Sequence, residues 1–499
     1  MLRSELKARL MESGDYEDPD QLPAYLQGYD YRWAPTFVLR HKQSGSIVGF
    51  ELVYTAVLPL GVLEQAKRAQ EEHDGFAVVL LTSLTNAGDD LGEYCRAQGF
   101  GLFVYTSETI SPIVAAKFAK AVPIAASDLP DEGWIPSAVS EQVKGFNHIG
   151  AGEVIRAYVP RLGGSGVTLP QAMATVQSAL DHVLTEQRKG FAAPFPFYGL
   201  AGLQGLLLAT GSPRPDHVVH SFRVYVTGCV ILDHFWDVFD AAWQSHIWHG
   251  NARIDDVWFL ISMFHDCGYF RHPELRREAA TVLDLPHGDA DLTATATAAL
   301  GRDEYRRASQ AIGSLLAHLR RPQGNWDFGS VGGTIEDEMQ ALLLRWYATL
   351  EFHGVVSALD LAAQMVRDVH SASERGKDSG IDRAFLAGHV FPAAAAIALH
   401  EWRLWPDLKR YRLFPFRASY YPLAGLLMFL DTWDDYRRRG DNEMAVSGLE
   451  LADRSATVRV RWRDPERLSR ARAGYEDYSR SVRWSRQMSM NIVVDEGEP

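Results

Sequence analysis

The feature that most constrains this chain is a series of histidines and aspartates set into apolar, helix-like segments: His220, the doublet His265-Asp266, His353, His400 and Asp431. A carboxylate or imidazole is costly to bury in such a segment without a partner, and a bound cation is one of the few groups that offsets the cost. Repeated along one chain, these positions point to a metal centre built between helices, and through it to hydrolytic chemistry.

Each position can first be read locally. His265-Asp266 ends the segment Val257–Phe264, which is apolar almost all round, so a helix there is buried, with Gly268 placed to stop or bend it. Neighbouring residues on a helix point about 100° apart, so both side chains can reach one cation and the carboxylate can touch a second. Asp431 follows Leu423 and Leu427 at i+8 and i+4, on the apolar stripe of a helix opened by Pro422, whereas Asp434 and Asp435 can face water. Read alone, it fits a buried salt bridge as well as a ligand. His400 follows a run of small residues, Ala393–Ala396, that allows close helix packing, and is equally a ligand or a satisfied core histidine. His389 is its rival, on the same face but roughly 16 Å away along a straight helix, so the two cannot share an ion; it is kept as a substrate contact. His353 precedes Gly354, which permits close backbone approach, and His217 stands ready to replace His220 three residues later.

In order and spacing the series resembles the HD superfamily of metal-dependent phosphohydrolases over roughly residues 215–440. The matching pieces are HSFRV from His220, FHDCGY from Phe264, FHGVVSALDLA from Phe352, AIALHEW from Ala396 and PLAGLLMFLDTWDDY from Pro422. The resemblance implies a first metal on His220, His265, Asp266 and Asp431, and a second on Asp266, His353 and His400, with Asp266 bridging. It implies two divalent ions, Mn²⁺, Fe²⁺ or Mg²⁺ with Ni²⁺ or Zn²⁺ as alternatives, that activate a water for in-line attack on phosphorus. Asp266 and Tyr269 are the expected catalytic residues, and Arg223, His389 and Arg417 the expected substrate contacts. The substrate is expected to be a small phosphorylated molecule, a nucleotide. The chain departs from the cyclic-di-GMP phosphodiesterase branch, with Tyr269 where that branch has lysine and Trp402–Pro406 where it has its GYP signature. A phosphodiesterase for another cyclic nucleotide or short oligonucleotide, a catalytically idle scaffold for a nucleotide or protein partner, and a mixed-valence iron oxygenase of the same fold remain as alternatives.

The expected fold class is α+β and multidomain. An α/β domain over residues 1–125 precedes a helical linker region over 126–199, the all-α HD-type bundle over 200–440, and a small α/β segment over 441–499. At the N-terminus, strands at Thr36–His41 and Ile47–Ala56, a helix at Leu63–Glu72, a strand at Phe76–Leu81, a helix at Asp90–Ala97 and a strand at Gly101–Tyr105 are expected. This order resembles the core of PD-(D/E)xK nucleases, but the Pro-Asp pair reads Pro35-Thr36 and the ExK position reads Glu51-Leu52-Val53. Only Glu51 is left, so the resemblance implies an inactive half used for binding or dimerisation, with an unrelated α/β accessory domain as the alternative. Further on, Gln171–Gln187 reads as a helix, Pro286–Arg302 and Ser371–Ile381 as loops or insertions, Thr457–Trp462 and Asn491–Val494 as strands, and Pro465–Ser479 as a helix.

A net charge of −13 argues against a broad nucleic-acid surface while leaving room for a local basic pocket. Three cysteines, Cys95, Cys229 and Cys267, form neither a CxxC pair nor a disulfide framework, which points to a reducing compartment. The charged N-terminal stretch lacks the apolar core of a signal peptide, and no apolar run reaches the roughly 18 residues of a spanning helix. A cytoplasmic location without membrane contact is therefore expected, with homo-oligomerisation left open.

Overall fold

In the computed structural model, the described residues are 7–8, 10–12, 14–19, 37–53, 60–83, 95, 100–105, 133–163, 167, 169–183, 217–245, 252–271, 296–319, 334–374, 382–434, 444–462, 465–485 and 488–495. They fall into two compact units, one up to Tyr105 and one from Gly133 onward. The chain is an α+β protein, mostly helical with small sheets.

The first unit is a five-stranded sheet in the order β1-β2-β3-β4-β5: β1 (Tyr16–Glu17), β2 (Phe37–His41), β3 (Ile47–Val53), β4 (Phe76–Ser83) and β5 (Gly101–Tyr105). The first three strands run antiparallel to one another, whereas β3, β4 and β5 are parallel. The polar turn after β2 is closed by a hydrogen bond between His41 Nδ1 and Ser44 Oγ at 2.8 Å. The parallel step from β3 to β4 needs a crossover, supplied by α1 (Leu60–Glu72), which packs on β4. Leu39, Phe50, Val78 and Leu80 are buried in this sheet. Strands β2 to β5 and α1 lie where the sequence pattern puts them, within a few residues, whereas the two-residue β1 was not expected. The expected helix at Asp90–Ala97 falls outside the described residues except for Cys95, which is helical. Pro35 and Thr36 are also outside them, and no side chain is described at Glu51.

The second unit is a helical assembly with two small sheets. Three helices come first: α2 (Ser137–Gln142), α3 (Gly152–Leu162) and α4 (Leu169–His182), the last matching the helix expected at Gln171–Gln187 through His182. The central set is α5 (His217–His234), α6 (Trp236–Gln244), α7 (Ile254–Phe264), α8 (Asp303–Leu319), α9 (Thr334–Thr349), α10 (His353–Glu374), α11 (Phe391–His400, entered through a π turn at Leu386–Val390), α12 (Trp405–Arg410) and α13 (Pro422–Asp434). The two stretches expected as loops are helical in part: residues 296–300 form a helical turn and residues 371–374 continue α10. Ala296 and Ala299 are buried there, enough apolar contact to hold the turn.

Two helices form the heart of this unit. Ten of the eleven residues of α7 are buried, among them Trp258, Ile261 and Phe264, as are nine of the ten in α11. Burying each large apolar side chain contributes about 1.5–3 kcal/mol relative to leaving it in water. The helix Arg383–His400 is, among the described residues, the one long and apolar enough to cross a bilayer; 67% of it is buried, because it is packed against α7, α10 and α13. Beside it, Asp360 of α10 accepts hydrogen bonds from Tyr305 of α8 at 2.6 Å and Tyr347 of α9 at 2.7 Å, so a buried carboxylate ties three helices together.

The C-terminal residues belong to the same compact unit. Strands β7 (Met444–Ala452) and β8 (Ser455–Trp462) form a hairpin, α14 (Pro465–Ser481) follows, and β10 (Ser489–Asp495) returns parallel to β8. A second, two-stranded sheet pairs β6 (Phe416–Arg417) with β9 (Val482–Arg483). Strand β6 is the one strand described inside a stretch expected to be wholly helical; its partner β9 lies some 65 residues further on, so no local pattern signals it.

Candidate metal centre

Five helices, one of them through the turn that follows it, deliver the six residues read from the sequence to a single place. α5 supplies His220 from its first turn, and α7 is capped at its C-terminus by His265, leaving Asp266 in the turn that leads to Tyr269. α10 begins at His353, α11 ends at His400, and α13 carries Asp431 three residues before its end. Two glycines allow these backbones to come close enough. A Cβ on Gly268 would lie 2.1 Å from the His353 carbonyl oxygen, and Gly268 N donates to Ser357 Oγ at 2.6 Å, which locks the His265-Asp266 turn onto α10. A Cβ on Gly354 would lie 2.8 Å from His400 Cε1 and 3.0 Å from the Ile397 carbonyl, so α10 and α11 meet where both present a histidine.

The donors form two overlapping groups that share Asp266, and both groups are buried and could hold a divalent metal. In the first, His220 Nε2 lies 3.1 Å from His265 Nε2, 3.7 Å from Asp266 Oδ2 and 3.3 Å from Asp431 Oδ1. In the second, His353 Nε2 lies 3.1 Å from His400 Nε2 and 3.6 Å from Asp266 Oδ1. Asp266 Oδ1 lies 3.5 Å from His265 Nε2 and 3.6 Å from His353 Nε2, so this one oxygen stands between the two groups, while Oδ2 faces His217 and His220. The rings of His265 and His400, 5.3 Å apart between centroids and nearly perpendicular, link the groups.

The outward edges of the imidazoles fix their tautomers. His265 Nδ1 donates to the Ser262 carbonyl at 2.7 Å, His400 Nδ1 donates to the Ile397 carbonyl, and His353 Nδ1 is ion-paired with Glu401 Oε2 at 2.9 Å. A neutral imidazole has one donor nitrogen and one acceptor, so each of these rings turns an Nε2 lone pair inward. Between His353 and His400 two such lone pairs face each other at 3.1 Å. That arrangement is repulsive unless a proton or a cation lies between them, and a metal is what this donor set fits.

Electrostatics separates the two histidines. Burial alone would push His353 down, but Glu401 beside it, aided by Asp266 and Asp431, holds it above the ordinary histidine value. Burial pushes His400 down to about 4, with His353 and His265 opposing its charge further and Asp431 and Glu401 only partly compensating. Without a cation, the proton therefore rests on His353. Burial works to raise both acids nearby. The imidazoles of His220 and His265 beside it nevertheless hold Asp431 well below the usual carboxylate range, and His353 with Arg403 does the same for Glu401.

The other expected site residues go elsewhere or take a different part. Tyr269 lies at the centre, its ring stacked on His353 at 4.1 Å and tilted against His217 at 4.5 Å. His217 does not stand in for His220: it approaches Asp266 Oδ2 through Nδ1 at 3.1 Å while His220 occupies the cluster. His389 is outside both donor groups, in the π turn, stacked on Phe385 and 4.0 Å from Asp256 Oδ2. Arg223 is buried on α5 with Nη1 3.5 Å from the Trp134 carbonyl, and Arg417 is exposed and donates to Tyr420 Oη at 2.8 Å.

Sequence reading did not single out Glu401. It is fully buried, paired with His353 and held from behind by Arg403 Nε at 2.8 Å. Its signal was a carboxylate directly after a ligand-type histidine at the end of an apolar helix. No family model, no curated protein and no solved structure matches this chain.

Proposed function

We propose that this chain is an HD-type, metal-dependent phosphohydrolase acting on a small phosphorylated substrate, most simply a nucleotide. The observation that carries the reading is the pair of inward-facing histidine couples, each with Nε2 atoms 3.1 Å apart, on either side of one buried carboxylate. His220, His265, Asp266 and Asp431 would hold one divalent ion, and Asp266, His353 and His400 the other. Bound there, such a pair supplies an activated water and neutralises charge building on phosphoryl oxygens.

The chain's own residues prepare that chemistry. Asp266 Oδ1 stands 3.5 Å from His265 and 3.6 Å from His353, so its position couples the two sites. The backbone carbonyls of Ser262 and Ile397 keep His265 and His400 in the tautomer that offers Nε2. Near-complete burial of His220, His265 and Asp266 excludes bulk water, whereas Asp431, 22% exposed, lies on the side open to solvent. Tyr269 places an aromatic ring and a hydroxyl beside His353, where it can donate a hydrogen bond to a substrate oxygen.

The test is elemental analysis of wild type and Asp266→Ala, paired with phosphate release from a panel of nucleotides in the presence of Mn²⁺. Wild type is expected to carry about two metal equivalents and to release phosphate, and the variant to lose both. Metal uptake without turnover on any phosphorylated substrate would favour the binding scaffold. Mixed-valence iron absorption would favour the oxygenase. Absence of metal under all conditions would overturn the metal-centre reading itself.

A further inference from the structure

The helix ends around the centre are not equivalent. α7 and α11 point their C-terminal ends at it, through His265 and His400, and the negative end of a helix favours a cation. α10 does the opposite. His353 is its first residue, so its positive end faces any ion that His353 would bind, and the helix alone disfavours charge there. The structure sets one carboxylate against that end. Glu401 lies with Oε2 2.9 Å from His353 Nδ1 and 3.5 Å from the amide nitrogen of Gly354, in the first turn of α10.

Glu401 is itself held. Arg403 meets both of its oxygens, at 2.8 and 3.3 Å, donates to the Glu351 carbonyl, and lies over the Phe352 ring at 5.2 Å. The Glu401–Arg403 pair therefore grips the residues on both sides of the start of α10. The chain arrives there because α11 ends at His400 and Glu401 adopts an extended backbone before the turn at Trp402–Leu404. In the first group, by contrast, the Nδ1 of His265 meets a neutral backbone carbonyl.

We infer that Glu401, anchored by Arg403, is a positioning residue specific to the second metal subsite, Asp266–His353–His400. It fixes the direction and tautomer of His353, makes that imidazole a stronger donor, and offsets the positive end of α10. The inference rests on the metal-centre reading and adds to it an unequal dependence of the two subsites on one buried carboxylate. Partners of this kind behind a ligand histidine typically change metal affinity by about 10–100-fold.

The experiment is a titration of the full-length, metal-stripped protein with Mn²⁺ alone, read by calorimetry and electron paramagnetic resonance, for wild type, Glu401→Ala, Glu401→Gln and Arg403→Met. Wild type is expected to fill two subsites and give the spin-coupled signal of a Mn²⁺ pair. Glu401→Ala should keep the first subsite at its wild-type affinity, weaken the second by about 10–100-fold, and give the signal of isolated Mn²⁺. Glu401→Gln keeps an acceptor for His353 Nδ1 but not the charge, so its loss should be smaller. It also serves as the readable variant if Glu401→Ala does not fold. Arg403→Met should fall between wild type and Glu401→Ala.

Two coupled Mn²⁺ ions at wild-type affinity in both Glu401 variants would overturn the positioning role and leave the metal centre standing. Equal weakening of both subsites would also overturn it, assigning Glu401 to the fold alone. Failure of the wild-type protein to bind Mn²⁺ would overturn the metal centre and this inference with it.

Discussion

The two halves of the donor cluster are built by different means. The half made of His220, His265, Asp266 and Asp431 draws on α5, α7 and α13, three helices buried along most of their length. Its orientation comes from backbone: His265 is turned by the Ser262 carbonyl, and Asp431 meets His220 and His265 directly. The half made of Asp266, His353 and His400 draws on the start of α10 and the end of α11, where two glycines allow the approach and a buried ion pair, Glu401 with Arg403, sets His353. A subsite fixed by backbone and packing changes only when the fold changes. One fixed by a charged side chain responds to substitution and to pH. The structure thus places a robust position and an adjustable one on either side of a shared aspartate.

Deleting one ligand from each half is the largest test. His265→Ala and His353→Ala should each lose one metal equivalent, with an affinity loss beyond the ~100-fold at which outer partners of a ligand usually stop. Because Asp266 serves both groups, the two losses should not be equal in consequence. Removing His265 breaks contacts to both Asp266 and Asp431 and should weaken both subsites, whereas removing His353 breaks its contact to Asp266 but none to His220 or Asp431 and should weaken the first less. Metal stoichiometry with the affinity of the equivalent that remains reads both outcomes, and equal weakening of that remaining equivalent in the two variants would contradict the asymmetry.

A smaller perturbation targets the approach of α10 to α11. Gly354→Ala adds a Cβ that would meet His400 Cε1 at 2.8 Å and the Ile397 carbonyl at 3.0 Å, so the helices must part. Overpacking of this kind costs about 1–3 kcal/mol. The expected result is a melting temperature a few degrees lower and selective weakening of the second subsite. Wild-type Mn²⁺ affinity in Gly354→Ala would show that the spacing of α10 and α11 does not govern that subsite.

Much of this asymmetry could not be read from the sequence. The residues His220, His265, Asp266, His353, His400 and Asp431 were legible because each interrupts an apolar helical pattern, and periodicity reports which face of a helix a residue occupies. The structure brings all six together. Periodicity does not report what stands behind a ligand. Glu401 followed a visible histidine, but its partner His353 lies 48 residues earlier, and only the packing of α10 on α11 joins them. His217 was legible as a rival to His220, yet its contact with Asp266 depends on the path of the turn after α7. Arg223 and Arg417 were chosen for charge and nearness in sequence; one is buried against Trp134 and the other is exposed and pairs with the half-buried Tyr420. In the fold, the alternation of Thr457–Trp462 revealed β8. Its partner β7 went unread, although Met444–Ala452 and Ser455–Trp462 flank the two-residue turn Asp453-Arg454 of a hairpin.

Acidification should distinguish the halves again. His353 is held above the ordinary histidine value by Glu401, so as pH falls it is among the first groups at the centre to take a proton. That proton occupies the Nε2 position a metal needs, so Mn²⁺ affinity of the second subsite should rise with pH until His353 is neutral and then level off. His400, pushed down to about 4, does not compete in this range. Titrations between about pH 5.5 and 8 should show the second subsite emptying before the first, with proton release on binding seen as a buffer-dependent enthalpy. In Glu401→Gln, His353 loses the charge that raises it. Its second subsite should be weaker at neutral pH but less dependent on pH, and an unchanged pH profile would sever Glu401 from the behaviour of His353.

The smallest expected effect concerns Tyr269, which separates His217, the imidazole on Asp266, from His353, the imidazole on Glu401. The ring and the hydroxyl have separable roles. Tyr269→Phe keeps the stacked ring, so metal uptake by both subsites should be unchanged. If the hydroxyl donates to a substrate oxygen, phosphate release should fall several-fold, the worth of one hydrogen bond at about 0.5–1.5 kcal/mol. Tyr269→Ala removes the ring as well and frees His353 to tilt, so it should weaken the second subsite in addition to slowing turnover. Metal loss already in Tyr269→Phe would assign the hydroxyl to the centre's structure. Unaltered turnover in Tyr269→Phe would leave Tyr269 as a spacer that orients His353 and takes no direct part with substrate.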